Sequence, residues 1–313
     1  MNSPDGLRGD LPGVSVYIPC YNGAHYIGAC LQALLDQTRV PDEIIVIDDG
    51  STDGTGSVVQ GYPGVILVQF SENRGLSAAR NAGVATARHE LVASLDADCV
   101  AEPDWLAHLV EVMKNVPNIV GAGGDLRETN TETVADRYRC TFMLQSWGPE
   151  RVINPPFLCG ANTIYRRSEL FEVDGYADIF RTNGEDVDLC KRIYARGHKL
   201  LYWPKARVNH MRKDTVSSVV RMNWAHVRHP LVIYYPPVTR PVLWAILKML
   251  VVHAVQCRIV PALKNKRFVT ALIAVRALFE MPWLEIKEYR RHQLASRTIE
   301  PDDAANPAVR RAV

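Results

Sequence analysis

Four short apolar runs rich in β-branched residues recur along the first third of the chain: Val14 to Ile18, Glu43 to Ile47, Val65 to Val68 and Leu91 to Leu95. Each has strand length and little alternation, the pattern of a strand covered on both faces. Between the first two, Ile27, Leu31, Leu34 and Leu35 recur at helical spacing, and Pro41 follows the end. Trp105, Leu109, Val112 and Met113 predict a second amphipathic helix opening at Pro103-Asp104. Val187, Cys190, Ile193 and Tyr194 predict a third, and Lys199 to Trp203 a further strand. Strands alternating with helices imply right-handed βαβ units, hence an α/β domain with a mainly parallel sheet.

Ligands of such sheets bind beyond the carboxyl ends of the strands. The first strand ends in Pro19-Cys20-Tyr21-Asn22-Gly23 and the second in Asp48-Asp49-Gly50-Ser51-Thr52-Asp53. The fourth runs straight into Asp96-Ala97-Asp98. Residues two apart on a strand share a face, so Asp96 and Asp98 are expected to aim the same way. Two carboxylates that close repel unless a cation joins them, and hard oxygen ligands suit Mg²⁺ or Mn²⁺ bound together with substrate phosphates. Asp49, Ser51, Asp53 and Gly54 also match the opening of a calcium loop. The twelfth place is Gln60 and a strand precedes it, so calcium is rejected and Ser51, Thr52 or Asp53 is expected to cap the next helix. Neither a Gly-x-Gly-x-x-Gly nor a phosphate-cradling Lys loop occurs, which argues against NAD and P-loop chemistry.

A second cluster lies downstream. Cys159-Gly160-Ala161-Asn162-Thr163 opens a short segment, and Gly184-Glu185-Asp186-Val187-Asp188 opens a helix whose first turn favours the carboxylates Glu185 and Asp186. His210 follows in Val208-Asn209-His210; a lone His is ordinarily structural or solvent-exposed.

The formal net charge of +2 gives no global signal and no reason to expect nucleic acid. The local distribution differs. No acidic residue falls between Asp214 and Glu280, where Arg221, Arg228, Arg240, Lys248, Arg258, Lys264, Lys266, Arg267 and Arg276 lie with Trp224, Trp244, Tyr234 and Tyr235. Seven cysteines without a Cys-x-x-Cys spacing indicate reduced thiols and a cytoplasmic location. Met1 to Gly13 has no apolar run; it is expected to be a disordered lead-in rather than a signal peptide.

Taken together, Pro19 to Gly23, Asp48 to Asp53, Asn73-Arg74-Gly75-Leu76-Ser77-Ala78-Ala79-Arg80-Asn81, Asp96 to Asp98 and Gly184 to Leu189 resemble the motifs of glycosyltransferase family 2, inverting nucleotide-sugar enzymes. The matches run from Val14 to about His210. The resemblance implies a GT-A fold, with a Rossmann-like sheet flanked by helices. It places a donor-binding half at 14–98 and an acceptor-binding half at 99–214, leaving a basic, apolar helical extension at 215–295 and a disordered tail at 296–313.

The resemblance also implies roles. Pro19, Tyr21, Asn22 and one carboxylate of Asp48 and Asp49 would hold the nucleotide base. A carboxylate there can accept the imino N–H of uracil, which favours a UDP-sugar. Gly75 would allow close backbone approach, Arg80 would face the base or the diphosphate, and Asp96 would contact ribose or the metal. Asp98 would bind a divalent cation, Mn²⁺ or Mg²⁺, with His210 as a further ligand. Asp186, paired with Glu185, would be the base for the acceptor. The Gln-x-x-Arg-Trp motif of processive members is missing, its nearest match being Arg221-Met222-Asn223-Trp224, so transfer of a single sugar is expected. A nucleotidyltransferase would be expected to carry a Gly-rich basic loop after the first strand, and a non-catalytic binding protein to lack Asp98 or Asp186.

Pro241 to Leu263 is mostly apolar but interrupted by Lys248, His253 and Arg258. Each central Lys or Arg costs about 2.5–3.5 kcal/mol on insertion, so spanning is unfavourable. The expectation is a cytoplasmic enzyme held peripherally on the inner membrane face through residues 215–280, acting on a lipid-linked or saccharide acceptor. A buried helical subdomain or a contact between copies in a homo-oligomer stays open as an alternative.

Overall fold

The computed structural model describes residues 12–143, 145–234, 239–265 and 267–295. The expectations for 1–11 and for the tail at 296–313, like Tyr235 and Lys266, lie outside the described residues. The four apolar runs become β1 (Val14–Cys20), β2 (Glu43–Asp48), β3 (Val65–Gln69) and β4 (Leu91–Leu95). They alternate with α1 (Ile27–Leu35), α2 (Thr55–Gln60) and α3 (Leu76–Thr86). There follow β5 (Cys99–Ala101), α4 (Trp105–Asn115), β6 (Ile119–Glu128), α5 (Val134–Phe142), β7 (Val152–Ile153), β8 (Asn162–Arg166), α6 (Arg167–Glu172), α7 (Glu185–Ala195) and β9 (Lys199–His210). The sheet order is β3-β2-β1-β4-β8-β6-β9-β5, with β7 on β9.

Every residue of β1, β2 and β4 is buried because helices cover both sides. Val14, Val16 and Ile18 pack with α1 and α4, whose Leu31, Trp105 and Leu109 fill one layer. Tyr17, Ile45 and Ile47 face the other way, against Ala79 and Val84 of α3 and Leu189 and Ile193 of α7. β3-β2-β1-β4 is parallel, as expected. Beyond β4 the sheet is mixed: β8 runs antiparallel to β4 and β6, and β6 runs parallel to β9. The chain order reverses at β1, which lies between β2 and β4, so the ends of β1 and β4 form a topological switch point, where such folds bind ligands.

One local expectation is corrected. The residue preceding α2 is Gly54, at φ +89°, not Ser51, Thr52 or Asp53. Asp53 still serves the helix, its Oδ1 accepting the Thr55 N–H at 3.1 Å, while Ser51 and Thr52 are drawn to Asn22. Residues 99–214 also do not all fall in one compact unit. The described residues form two compact units, one running to Asn130 and resuming after Met143 to Lys213, the other made of Thr131–Met143 and the described residues between Asp214 and Ala295. α5 belongs to the second unit because Tyr138 is buried in that unit's core and Arg139 forms a buried ion pair with Asp214 at 3.0 Å.

The second unit holds α8 (Val216–Tyr234), α9 (Arg240–Val252), a π-helical stretch (His253–Ile259), α10 (Val260–Lys264) and α11 (Phe268–Ala295). Its core joins Val219 and Val220 to Ile246, Leu250, Ala274, Ala277 and Met281. Glu285, fully buried, accepts from Arg228 Nε at 2.8 Å and Trp224 Nε1 at 3.0 Å. Arg240–Lys264 is long and apolar enough to cross a membrane by length and composition, with 22% of its most apolar window buried.

Candidate active site

The β1 and β2 ends are stitched together by backbone donors. The Asn22 N–H donates to Ser51 Oγ at 2.8 Å, Gly23 to Thr55 Oγ1 at 3.0 Å and Ala24 to Asp53 Oδ2 at 2.9 Å. In return Thr52 N–H donates to Asn22 Oδ1 at 2.9 Å. Asn22 sits at φ +51°, the left-handed region that Asn tolerates. The adjoining Tyr21 stays exposed, and Pro19 lies opposite Ile47 inside the sheet.

Asp48 and Asp49 are both buried. Asp48 accepts from Ser51 N–H at 2.9 Å and Gln69 Nε2 at 3.1 Å. Asp49 accepts from Arg74 N–H at 2.6 Å, Gly75 N–H at 2.9 Å and Asn73 Nδ2 at 2.9 Å. A carboxylate offers about four lone-pair sites, so Asp49 retains roughly one and Asp48 roughly two. The close approach expected at Gly75 is made by the chain itself. A Cβ there would stand 2.9 Å from Arg181 Cα, and φ is +97°. The neighbouring Leu76 N–H donates to Arg181 O.

Arg80 does not face outward. It is 1% exposed and gives Nε to Glu185 Oε1 at 3.2 Å, Nη1 to Ser94 Oγ at 2.6 Å and Gly160 O at 2.9 Å, and Nη2 to Asp96 Oδ1 at 3.0 Å. Four of the guanidinium's five N–H donors are engaged within the protein. Arg80 is thus a buried bridge between the ends of β4 and α7. Gly160 has to be glycine for it, since a Cβ would meet Nη2 at 2.8 Å.

Glu185 and Asp186, adjacent in α7, differ sharply. Glu185 is buried, and its Oε2 has no hydrogen-bond partner. Burial and the charge of Asp186 push its carboxyl upward, against the opposing pull of Arg80. Asp186 is partly exposed and held by two backbone donors, Gly160 N–H to Oδ2 at 3.0 Å and Val187 N–H to Oδ1 at 2.8 Å.

The third group depends on strand register. His210 pairs across β9 with Cys99 of β5 and with Glu128 of β6. Its Nε2 lies 3.2 Å from Asp98 Oδ2, and its Nδ1 lies 3.0 Å from Glu128 Oε1. Burial alone would lower the imidazole; hydrogen bonds to both carboxylates outweigh it and raise His210 to about 9. The same contact outweighs burial at Asp98 and lowers it. Asp96 is instead pushed up by burial, with Arg80 opposing.

Asp98, Cys99 and His210 bring their ligand atoms within 4.8 Å of one another. The donors fit a divalent cation. Asp98 offers a hard oxygen, and His210 can bind through Nε2 once a cation displaces the proton shared there with Asp98, its Nδ1 staying on Glu128. Cys99 suits such an ion less, because burial keeps its thiol protonated. Asp96 is not in this cluster, and its Oδ1 is held by Arg80. Glu128 went unnoticed in the sequence. β6 runs six residues past the apolar run at 119–122 before it reaches that position.

A model of the family described as Glycosyl transferase family 2 matches residues 15–171, half of the chain. The chain belongs to that family. It is 26% identical over 242 residues to the poly-beta-1,6-N-acetyl-D-glucosamine synthase of Staphylococcus aureus strain COL, covering 74% of this chain and 58% of that protein. It is 30% identical over 203 residues to glycosyltransferase AglE of Haloferax volcanii, covering 63% of this chain and 66% of that protein. The chain thus spans less than two thirds of either relative. Among solved structures, the Pyrobaculum calidifontis mannosyltransferase PcManGT, in complex with GDP-Man and Mn²⁺, superposes with a TM-score of 0.59 at 20% identity, over 87% of each chain. Staphylococcus aureus TarS gives 0.54 at 20% identity, over 79% of this chain and 44% of that one. These likenesses establish the GT-A fold expected from the motifs.

Proposed function

We propose that this protein is an inverting glycosyltransferase that moves one sugar from a nucleotide sugar, a UDP-sugar first, to an acceptor hydroxyl in cell-envelope polysaccharide or glycolipid assembly. The observation that carries the reading is the arrangement around Arg80. One buried guanidinium holds Asp96, at the donor strand end, and Glu185, beside the candidate base Asp186. The turn after β1, with Pro19, Tyr21 and Asn22, and the lone pairs left on Asp48 or Asp49 are the groups offered to the base. Asp98 and His210 would hold a divalent cation, which when bound stabilises negative charge on the diphosphate.

Asp186 suits proton acceptance. The amides of Gly160 and Val187 fix its carboxylate in place, and the side chain remains partly exposed. It takes the acceptor's hydroxyl proton as that oxygen bonds to the anomeric carbon, and the bond to the nucleoside diphosphate oxygen breaks in the same displacement. One displacement inverts the anomeric centre. Glu185, buried and drawn toward its neutral form, orients the pair through Arg80 rather than accepting the proton. The test is Asp186→Asn with a UDP-sugar series and Mn²⁺. Turnover should fall by roughly 10²–10⁴ with donor binding retained. If Glu185→Gln proves the more damaging of the two with folding intact, the base is misassigned.

A further inference from the structure

The second unit carries an apolar surface that its own core leaves uncovered. Along α11, Phe268, Leu272, Val275, Phe279 and Trp283 recur every three or four residues, a spacing that places them on one face. All are exposed, Phe279 to 71% and Trp283 to 59%. The opposite side of the same helix supplies Ala274, Ala277 and Met281 to the core and the buried Glu285. Trp244 on α9 is a further exposed indole. A soluble monomer rarely leaves a contiguous apolar stripe of this kind to water.

Charge narrows the occupant. Arg276, Lys287 and Arg290 are exposed beside the stripe, and Lys287 Nζ stands 5.3 Å from the Trp283 ring centroid. The acid nearest the stripe, Glu280, is paired with Arg276. A second copy docking by the same face would set basic rim against basic rim. An anionic surface would complement it. Spanning suits α11 poorly, since Arg276, Glu280, Glu285, Lys287 and Glu288 punctuate it. Arg240–Lys264 meets the length requirement, yet it contributes Ile246, Leu250, Ala254 and Ala262 to the unit's buried set.

We infer that the Phe268–Trp283 face of α11 lies in the interface plane of an anionic lipid bilayer, with its stripe in the acyl boundary and its basic rim among headgroups. The inference goes beyond the sugar-transfer reading and can be tested without any sugar.

The full chain is sedimented with vesicles of phosphatidylcholine alone or with about one third phosphatidylglycerol, at low and high salt. Binding should be at least tenfold tighter to the anionic vesicles and should weaken as salt rises. The double variant Leu272→Gln/Phe279→Gln, changed only at exposed positions and checked by its melting curve, should bind at least tenfold more weakly. Brominated lipid should quench the native chain's tryptophan emission, and Trp283→Phe should lose part of that quenching. Absent binding at low salt, or equal binding by the double variant, would overturn the inference. So would a dimer in sedimentation equilibrium that the double variant dissociates, which makes the face a contact between copies. A chain recovered only in detergent, with the double variant still membrane-bound, would overturn it in favour of a spanning helix.

Discussion

Replacing Arg80 by methionine, close in volume but uncharged, isolates the bridge at the centre of the site. It removes four hydrogen bonds and leaves the carboxylates of Glu185 and Asp96 without their shared cation. Removing one partner of a buried pair costs about 3–5 kcal/mol, because a charge is left uncompensated. For a unit of about 200 residues that corresponds to a melting point lower by roughly 6–20 °C. The loss should depend on pH. Glu185 already keeps its proton up to about 8 with Arg80 present, so the deficit should be flat from pH 5 to 7 and grow as pH rises through 8 toward 9. Arg80→Lys keeps the charge but not the fork, and should fall between. Urea unfolding of the three proteins across that pH range is the assay. If Arg80→Met unfolds within about 1 kcal/mol of the native chain at every pH yet loses donor affinity, the guanidinium serves the ligand and the bridge reading fails.

Three further outcomes follow from the same geometry. Glu185 is raised from an ordinary 4.5 to about 8, so between those values the folded chain keeps a proton that the unfolded chain has released, and stability falls as pH rises. Glu185→Gln cannot titrate, and its stability relative to the native chain should therefore improve steadily over that window; a constant difference would remove the shift. Mn²⁺ with UDP should raise the melting point, by up to about 2.7 kcal/mol of stabilisation at a hundredfold excess over Kd, and Asp98→Asn or His210→Ala should lose the increment; retention by both would move the cation elsewhere. Gly75→Ala, at φ +97° and 2.9 Å from Arg181 Cα, should lower stability by about 1–3 kcal/mol, read from denaturant midpoints.

Much of this was legible because burial on both faces of a sheet leaves a direct mark on sequence. β1 to β4 could be found to within two residues, and with them the strand ends carrying Asp48, Asp49, Asp96 and Asp98. The remainder depends on pairings between distant segments. Arg80 reads as a motif cation, and only folding brings Glu185, 105 residues away, onto its Nε. Gly75 reads as room for a ligand until Arg181 fills it. β9 looked like two pieces because Pro204, Lys205 and Arg207 interrupt its apolar pattern, so its reach to His210 as one strand, and hence Glu128, stayed hidden. α5 carries no local sign that its partners begin at Asp214.

The position of β9 between β6 and β5 also dictates when a newly made chain can bring Asp98, His210 and Glu128 together. Glu128 and His210 are separated by 82 residues, and Asp98 is older still. At about 5–20 residues per second of synthesis, the edge of β6 waits roughly 4–16 s for the strand that closes it. Among the described residues β5 pairs only with β9, so it joins the sheet no earlier than that strand. A nascent chain in this interval presents open strand edges to its surroundings, so Asp98, His210 and Glu128 meet only after an aggregation-prone stage of biosynthesis has passed.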